Sequence, residues 1–444
     1  MKKIFALSLV LLMLIALCGC ARVSKLKDVV LPPLPEVTQT VESTPTPVST
    51  PVPTLLPVPE SVAATYNPKL ANHVIVGVNN TRQEFFDPQN GTELILSFEY
   101  DTPVVYIEGN DEASAEINEY IALLDETYNT GNDYGVGSAL GLNAMLEMAT
   151  DHYGYVINSG LEGELGFELS AERSVYITRA DESLISLVFH SYEYTGGENG
   201  QYSVRGYVFN TETGKLMSLD DLASDSELLK KTVGDRMIAL YEADEDGYFS
   251  STMPEGYIEN GDYAAAIRDV VRDGSWGLDQ EGIILFSELN ELGPASTGIT
   301  VFHVPYSDVV GIVDDKWLPA EKHGEGAFSL LMLSELEDGS AEIIDRVVVD
   351  EDGQQICLAV DGIVYDVMLS EVAYYDRFYE TDELWACSYM NDCMLQLSAG
   401  IPEGMPNLMI SYTDGDEIRH RLLLTQSGED GRFVLASDDI EAVG

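Results

Sequence analysis

The sequence predicts an α+β protein: an antiparallel sheet with packed helices, followed by a mostly-β C-terminal domain. Three observations carry this expectation. Between residues 93 and 314, strand-patterned runs and helix-patterned runs come in groups rather than in strict alternation, as in folds that segregate the two element types. From Phe328 onward, short alternating runs are punctuated by Glu337-Asp338-Gly339, Glu351-Asp352-Gly353, Asp361-Gly362, Asp414-Gly415 and Glu429-Asp430-Gly431, a spacing suited to a small sandwich or barrel. Finally, 45% hydrophobic and 9% aromatic residues over 444 positions supply enough apolar surface for real cores.

The elements can be justified in order. Lys2 and Lys3 precede an apolar run from Ile4 to Leu17, a positively charged start and a hydrophobic stretch too short to span a bilayer comfortably. Residues 1–19 therefore read as an export signal. The run closes in Leu17-Cys18-Gly19-Cys20, which resembles the lipobox of bacterial lipoproteins. That resemblance implies cleavage before Cys20 and a diacylglycerol on its sulfur, whose two chains anchor far better than one. The implied location is the outer face of the cytoplasmic membrane. Residues 20–65 then form a spacer: nine of the eighteen prolines lie between Pro32 and Pro59, with Thr, Val and Ser among them and no glycine. Such a composition favours polyproline II at ~3.1 Å per residue, so the spacer reaches up to ~100 Å, enough to extend into a cell wall.

Residues 66–320 read as the α+β module. His73 to Val78 patterns as a strand, and 93–100 alternates before an expected turn at Asp101-Thr102-Pro103. A helix over 112–128 places Ala115, Ile117, Tyr120, Ile121 and Leu124 on one face, and 138–153 offers a second such face. Strand patterns return at 174–178 and 184–194, break at Gly196-Gly197-Glu198-Asn199-Gly200, and resume at 202–210 before the turn Thr211-Glu212-Thr213-Gly214. Helices over 226–242 and 263–271 follow, then strands over 282–289 and 298–305, with 307–313 closing the unit. Residues 325–444 make the β-rich C-terminal domain.

Several of these segments together resemble the PdaC-like and RsiV-like extracytoplasmic domains of bacterial envelopes. The carrying residues are the strand, turn and helix over 100–124 with central Ile117-Asn118, and the hairpin residues Tyr194-Thr195-Gly196-Gly197. Phe209 to Lys215 running into Leu219-Asp220-Asp221-Leu222, the loop Gly293 to Ile299, and Val304-Pro305-Tyr306 complete the set. The resemblance covers roughly half the chain. It implies an accessory domain of the kind found beside peptidoglycan deacetylases, or the outer domain of anti-sigma factors that sense lysozyme. Glu198-Asn199 stands where many relatives carry Ala-His, so a histidine-dependent role at that turn does not transfer.

Charge and side-chain inventory narrow the function further. With 23 basic against 76 acidic residues the net charge is −53, which leaves little from which to build a groove for a phosphate backbone and excludes nucleic acid as partner. The surplus favours a cationic partner. His73, His152, His190, His303, His323 and His420 include no pair at metal-binding spacing, and His190 and His303 read as structural. No nucleophile elbow, P-loop or dinucleotide fingerprint occurs, and so abundant a set of carboxylates singles out no acid/base pair. Glu242 to Gly247 imitates an EF-hand start, but position twelve is Met253 rather than the required Glu, so a solvated loop is expected. No cofactor, metal or catalytic residue is assigned. Cys387 and Cys393 could pair in an oxidising compartment, or stay reduced with Cys357 in a core.

The remaining candidate site is aromatic. Tyr192, Tyr194 and Tyr202 flank the glycine turn that carries Glu198 and Asn199, residue types that can stack on a sugar or clasp a basic protein, although strand tyrosines also simply pack across a hairpin. The sequence thus points to a lipid-anchored, non-enzymatic binding protein of the cell envelope. Its expected partner is a cationic protein such as lysozyme, with a peptidoglycan or wall-glycan ligand as the alternative and a wall-modifying hydrolase as the second.

Overall fold

The structure, a computed structural model, describes residues 73–437 other than 90, 132–139, 161–167, 197–199, 245–246, 255, 259–260, 321, 323, 325, 337–341, 375–377, 401–404 and 427–431. It has the α+β architecture the sequence predicts. The hairpin of β1 (Val74–Phe86) and β2 (Leu94–Ile107) opens the chain. Buried Asp87 shapes its turn, accepting hydrogen bonds from the backbone N–H of Gln89 (2.9 Å), Thr92 (2.8 Å) and Glu93 (3.0 Å).

The turn expected at Asp101-Thr102-Pro103 is not one. Strand β2 continues through it, with Pro103 opposite Val78. The reason lies in parity along the strand. The N–H groups of Val105 and Ile107 point away from β1, to Asn118 Oδ1 and Ser114 Oγ (both 2.9 Å), so Pro103, two residues earlier, lacks an N–H only where no strand partner stands. Asn118 also donates to the Val105 carbonyl at 2.7 Å, so one helical side chain closes both backbone groups of an open strand edge.

That helix, α1 (Asp111–Thr130), is capped by Asn110, whose side chain accepts from Ala113 N–H, and ends at Gly131 in the left-handed conformation. It buries Ala113, Ser114, Ile117, Ile121, Leu124 and Tyr128. Ala115, expected on this face, is exposed because the buried stripe starts at Ala113 and Ser114 and turns past it. With α2 (Leu142–Ser159), α1 forms the crossover that a parallel pairing of β2 with β3 (Leu169–Ala180) requires. Antiparallel β4 (Leu184–Tyr194), β5 (Gln201–Asn210) and short β6 (Leu216–Met217) extend the sheet.

Alternation along β4 and β5 divides two cores. Ile185, Leu187, Phe189, Tyr207 and Phe209 meet α1 on one face. From the other face, Leu184 and Val208 join a core built by α3 (Ser226–Ala243), α4 (Tyr248–Thr252), α5 (Tyr263–Asp269) and a small antiparallel sheet of β7 (Trp276–Leu278), β8 (Gly282–Phe286) and β9 (Val301–Pro305).

The last region is mostly β, with one 3-10 turn at Leu333–Glu335: β10 (Gly326–Met332), β11 (Glu342–Val348), β12 (Gln354–Tyr374), β13 (Phe378–Asn391), β14 (Cys393–Ala399), β15 (Leu408–Thr413), β16 (Arg419–Gln426) and β17 (Phe433–Ser437). Asp361-Gly362, expected as a turn, lies inside β12. Gly362 at φ +85° marks where the strand changes partners: the first half pairs with β10 and β14, the second with β13 and β15. Ile356, Leu358, Val364, Leu369, Trp385 and Leu395 pack in the core that results. Strand β1 pairs with β13, Ile75 opposite Cys387, so among the described residues one hydrogen-bonded path runs β17-β16-β15-β12-β13-β1-β2-β3-β4-β5-β6.

Candidate functional site

Two surfaces stand out, an aromatic-rimmed cleft and a carboxylate-crowded face. The cleft lies at the end of β4 and β5 where the hairpin joins them. Tyr192 and Tyr202 are directly opposite in the ladder, their ring centroids 4.6 Å apart. Gly200 permits this geometry, since a Cβ there would sit 2.1 Å from Tyr192 Cε2. Cross-strand packing fixes the pair but does not hide it: Tyr202 remains 53% exposed on the rim. Tyr194 goes elsewhere, half-buried against the core around Tyr128, Met145 and Tyr153. Cys20, Glu198 and Asn199 lie outside the described residues.

Ser191, Glu193, Gln201, Ser203 and Arg205 make one wall of the cleft, and Glu288, Leu289, Asn290 and Ala295 make the other, around about 420 Å³. The second wall is held in place by Gly206, whose N–H bonds Gly274 O at 3.1 Å and whose missing side chain lets the Trp276 carbonyl approach. Arg205 bridges the walls to Glu288 at 3.0 Å, while Arg272 binds Glu291 at 2.6 and 2.9 Å. Glu193 accepts the Leu140 N–H at 3.1 Å. The cleft carboxylates therefore already have partners. By contrast, the side-chain amides of Gln201 and Asn290 make no hydrogen bonds among the described residues, and both residues are exposed. Sequence reasoning missed Gln201, Arg205, Glu288 and Asn290 because the two walls are some eighty residues apart in the chain.

The second surface is built where β13 comes alongside β3. Two N–H groups of β3 beyond its pairing with β2 are taken by carboxylates, Val175 by Asp101 (3.1 Å) and Ile177 by Glu383. Around them acids accumulate. Burial raises Asp101, Glu172 and Glu371 above the ordinary carboxylate range, and neighbouring charge raises them further: Asp382 and Glu99 act on Asp101, those two and Asp101 on Glu172, and Asp382 on Glu371. Burial pushes Glu383 up to about 8. Of the nearby cations, Arg82 binds Glu84 at 2.7 Å and also reaches Glu99 of this face at 3.9 Å, and Arg421 binds Glu380 at 3.5 Å.

Other sequence candidates take structural places. Asp244, in the loop resembling an EF-hand, spends its carboxylate on the N–H groups of Phe249 (2.8 Å) and Ser250 (3.0 Å) at the start of α4. His303 pairs with Asp279 at 3.1 Å, a hydrogen bond that raises its pKa, and His190 stacks edge-on against Tyr176 at 4.6 Å. Cys357, Cys387 and Cys393 are buried free thiols. Among the described residues no group of three or more His, Cys, Asp or Glu is arranged to hold a metal ion, and no helix is long and apolar enough to cross a membrane.

No protein-family model matches the chain, and no curated protein matches it. Among solved structures it is similar to a DUF3298 family protein from Pseudomonas aeruginosa PAO1, at 17% identity over 55% of this chain and 97% of that one, with a TM-score of 0.35. It is also similar to a DUF3298 family member from Bacteroides fragilis NCTC 9343, at 14% identity over 56% of this chain and 96% of that one, with a TM-score of 0.40. Likenesses this loose leave the function to be argued from the residues.

Proposed function

We propose that this chain is a lipid-anchored protein of the cell envelope that engages a cationic protein such as lysozyme. The observation that carries the reading is the crowded face of Glu99, Asp101, Glu172, Glu371 and Asp382, whose mutual repulsion a positively charged partner would relieve. A net charge of −53 adds long-range attraction, which predicts fast and salt-sensitive association. Binding a cation favours the ionised carboxylates, so affinity rises with pH as these raised groups lose their protons. The anchor rests on Leu17-Cys18-Gly19-Cys20 in the sequence, and Cys20→Ser releases the chain from the membrane fraction on this reading.

The test is calorimetric titration of the full chain with lysozyme at low and at physiological salt, beside another basic protein of similar charge. Saturable binding that survives physiological salt and exceeds the control supports the proposal. Equal binding of both proteins, erased by salt, refutes it and leaves only nonspecific attraction.

A further inference from the structure

We propose that the cleft between β5 and the loop after β8 is a binding site for a neutral saccharide. The inference stands apart from the cationic partner, because the cleft and the crowded face are built from different residues. Four features of the cleft select the ligand chemistry. Its volume of about 420 Å³ falls within the about 300–1,000 Å³ of small-ligand sites. Its rim carries an exposed aromatic ring, Tyr202, already held in tilted contact with Tyr192, so little freedom is lost when a flat apolar sugar face lies on it.

Third, Gln201 and Asn290 line the cleft from opposite walls, and their side-chain amides have donors and acceptors that no described residue uses, which suits hydroxyl groups that both give and take hydrogen bonds. Fourth, the cleft has no spare positive charge. Arg205, the one cation among the described residues that line it, is paired with Glu288, so an anion finds no unmatched counter-charge there, and Glu193 already accepts the Leu140 N–H. An anion would in addition enter the field of a chain of net charge −53. A purely apolar ligand would strand the polar groups that line both walls. A neutral, polyhydroxylated molecule with one apolar face meets all four conditions.

The experiment applies the full chain to an array of neutral oligosaccharides of glucose, galactose, mannose and N-acetylglucosamine, and then titrates the best binder by calorimetry. Saturable binding that changes little between low and high salt is expected. Tyr202→Phe keeps the ring and should keep the affinity, whereas Tyr202→Ala and, from the opposite wall, Asn290→Gly should each weaken it about fivefold or more. Thermal unfolding of each variant checks that the fold is retained. Because Asn290 is exposed, outside every core and at φ +66°, where glycine is unstrained, its variant carries the test even if Tyr202→Ala loosens the hairpin. No binding to any oligosaccharide overturns the proposal, as does binding that Tyr202→Ala and Asn290→Gly both leave untouched. Lysozyme titration of the same variants separates the two readings, since loss of saccharide binding with lysozyme affinity intact affects this site alone.

Discussion

Glu383→Gln offers the sharpest test of how β13 is joined to β3. The Glu383 carboxylate accepts the Ile177 N–H, and burial raises its pKa from an ordinary 4.5 to about 8. An acid whose folded pKa exceeds its unfolded pKa holds its proton more tightly when folded. Its stabilising contribution is therefore full below about 4.5, declines as the unfolded chain ionises first, and is gone above about 8. Linkage between these two values, evaluated from about pH 5 to about pH 9, gives a loss of about 4 kcal/mol from this one group. Glutamine keeps an oxygen for Ile177 and has no proton to lose. Urea unfolding followed by tryptophan fluorescence, with Trp385 two residues away, should show the variant exceeding the parent chain at about pH 9 by on the order of 4 kcal/mol, the gap closing toward about pH 5. If the two proteins lose stability in parallel over this range, to within about 1 kcal/mol, Glu383 is not buried and protonated as described.

Other outcomes follow from the same contacts. Asn118→Ala leaves both the N–H and the carbonyl of Val105 without their partner and should cost about 2–4 kcal/mol in urea unfolding, with Asn118→Asp intermediate because it keeps the acceptor. Gly200→Ala sets a methyl 2.1 Å from the Tyr192 ring, so the ring must swing aside; a stability loss of about 1–3 kcal/mol should accompany weaker saccharide binding. Burial raises the thiols of Cys387 and Cys393, the latter to about 12, so peptide mapping after thiol labelling should find these two and Cys357 unmodified in the native protein and modified after unfolding.

Local pattern in the sequence determined what local physics controls. The apolar spacing of α1, the alternation of β3 to β5 and the order of strands and helices were legible because each depends on residues a few positions apart. So was the pairing of Tyr192 with Tyr202, set by the hairpin that joins them. Turn residues misled where a distant partner outweighed them. Pro103 stays in a strand because α1 rather than another strand covers that edge, and Asp361-Gly362 bends β12 rather than ending it because both halves find neighbours to pair with.

Charge shows the same division. Composition alone gave the acid surplus, since counting needs no coordinates. Which acids crowd and which are already paired was decided only by pairings across the chain, such as β1 with β13 and Glu383 with Ile177, at separations of some 200 to 300 residues. The two walls of the cleft meet for the same reason, as Arg205 reaches Glu288 only after Gly206 has let the Trp276 strand press close. Periodicity reports the face a residue presents; only the closed fold determines what that face meets.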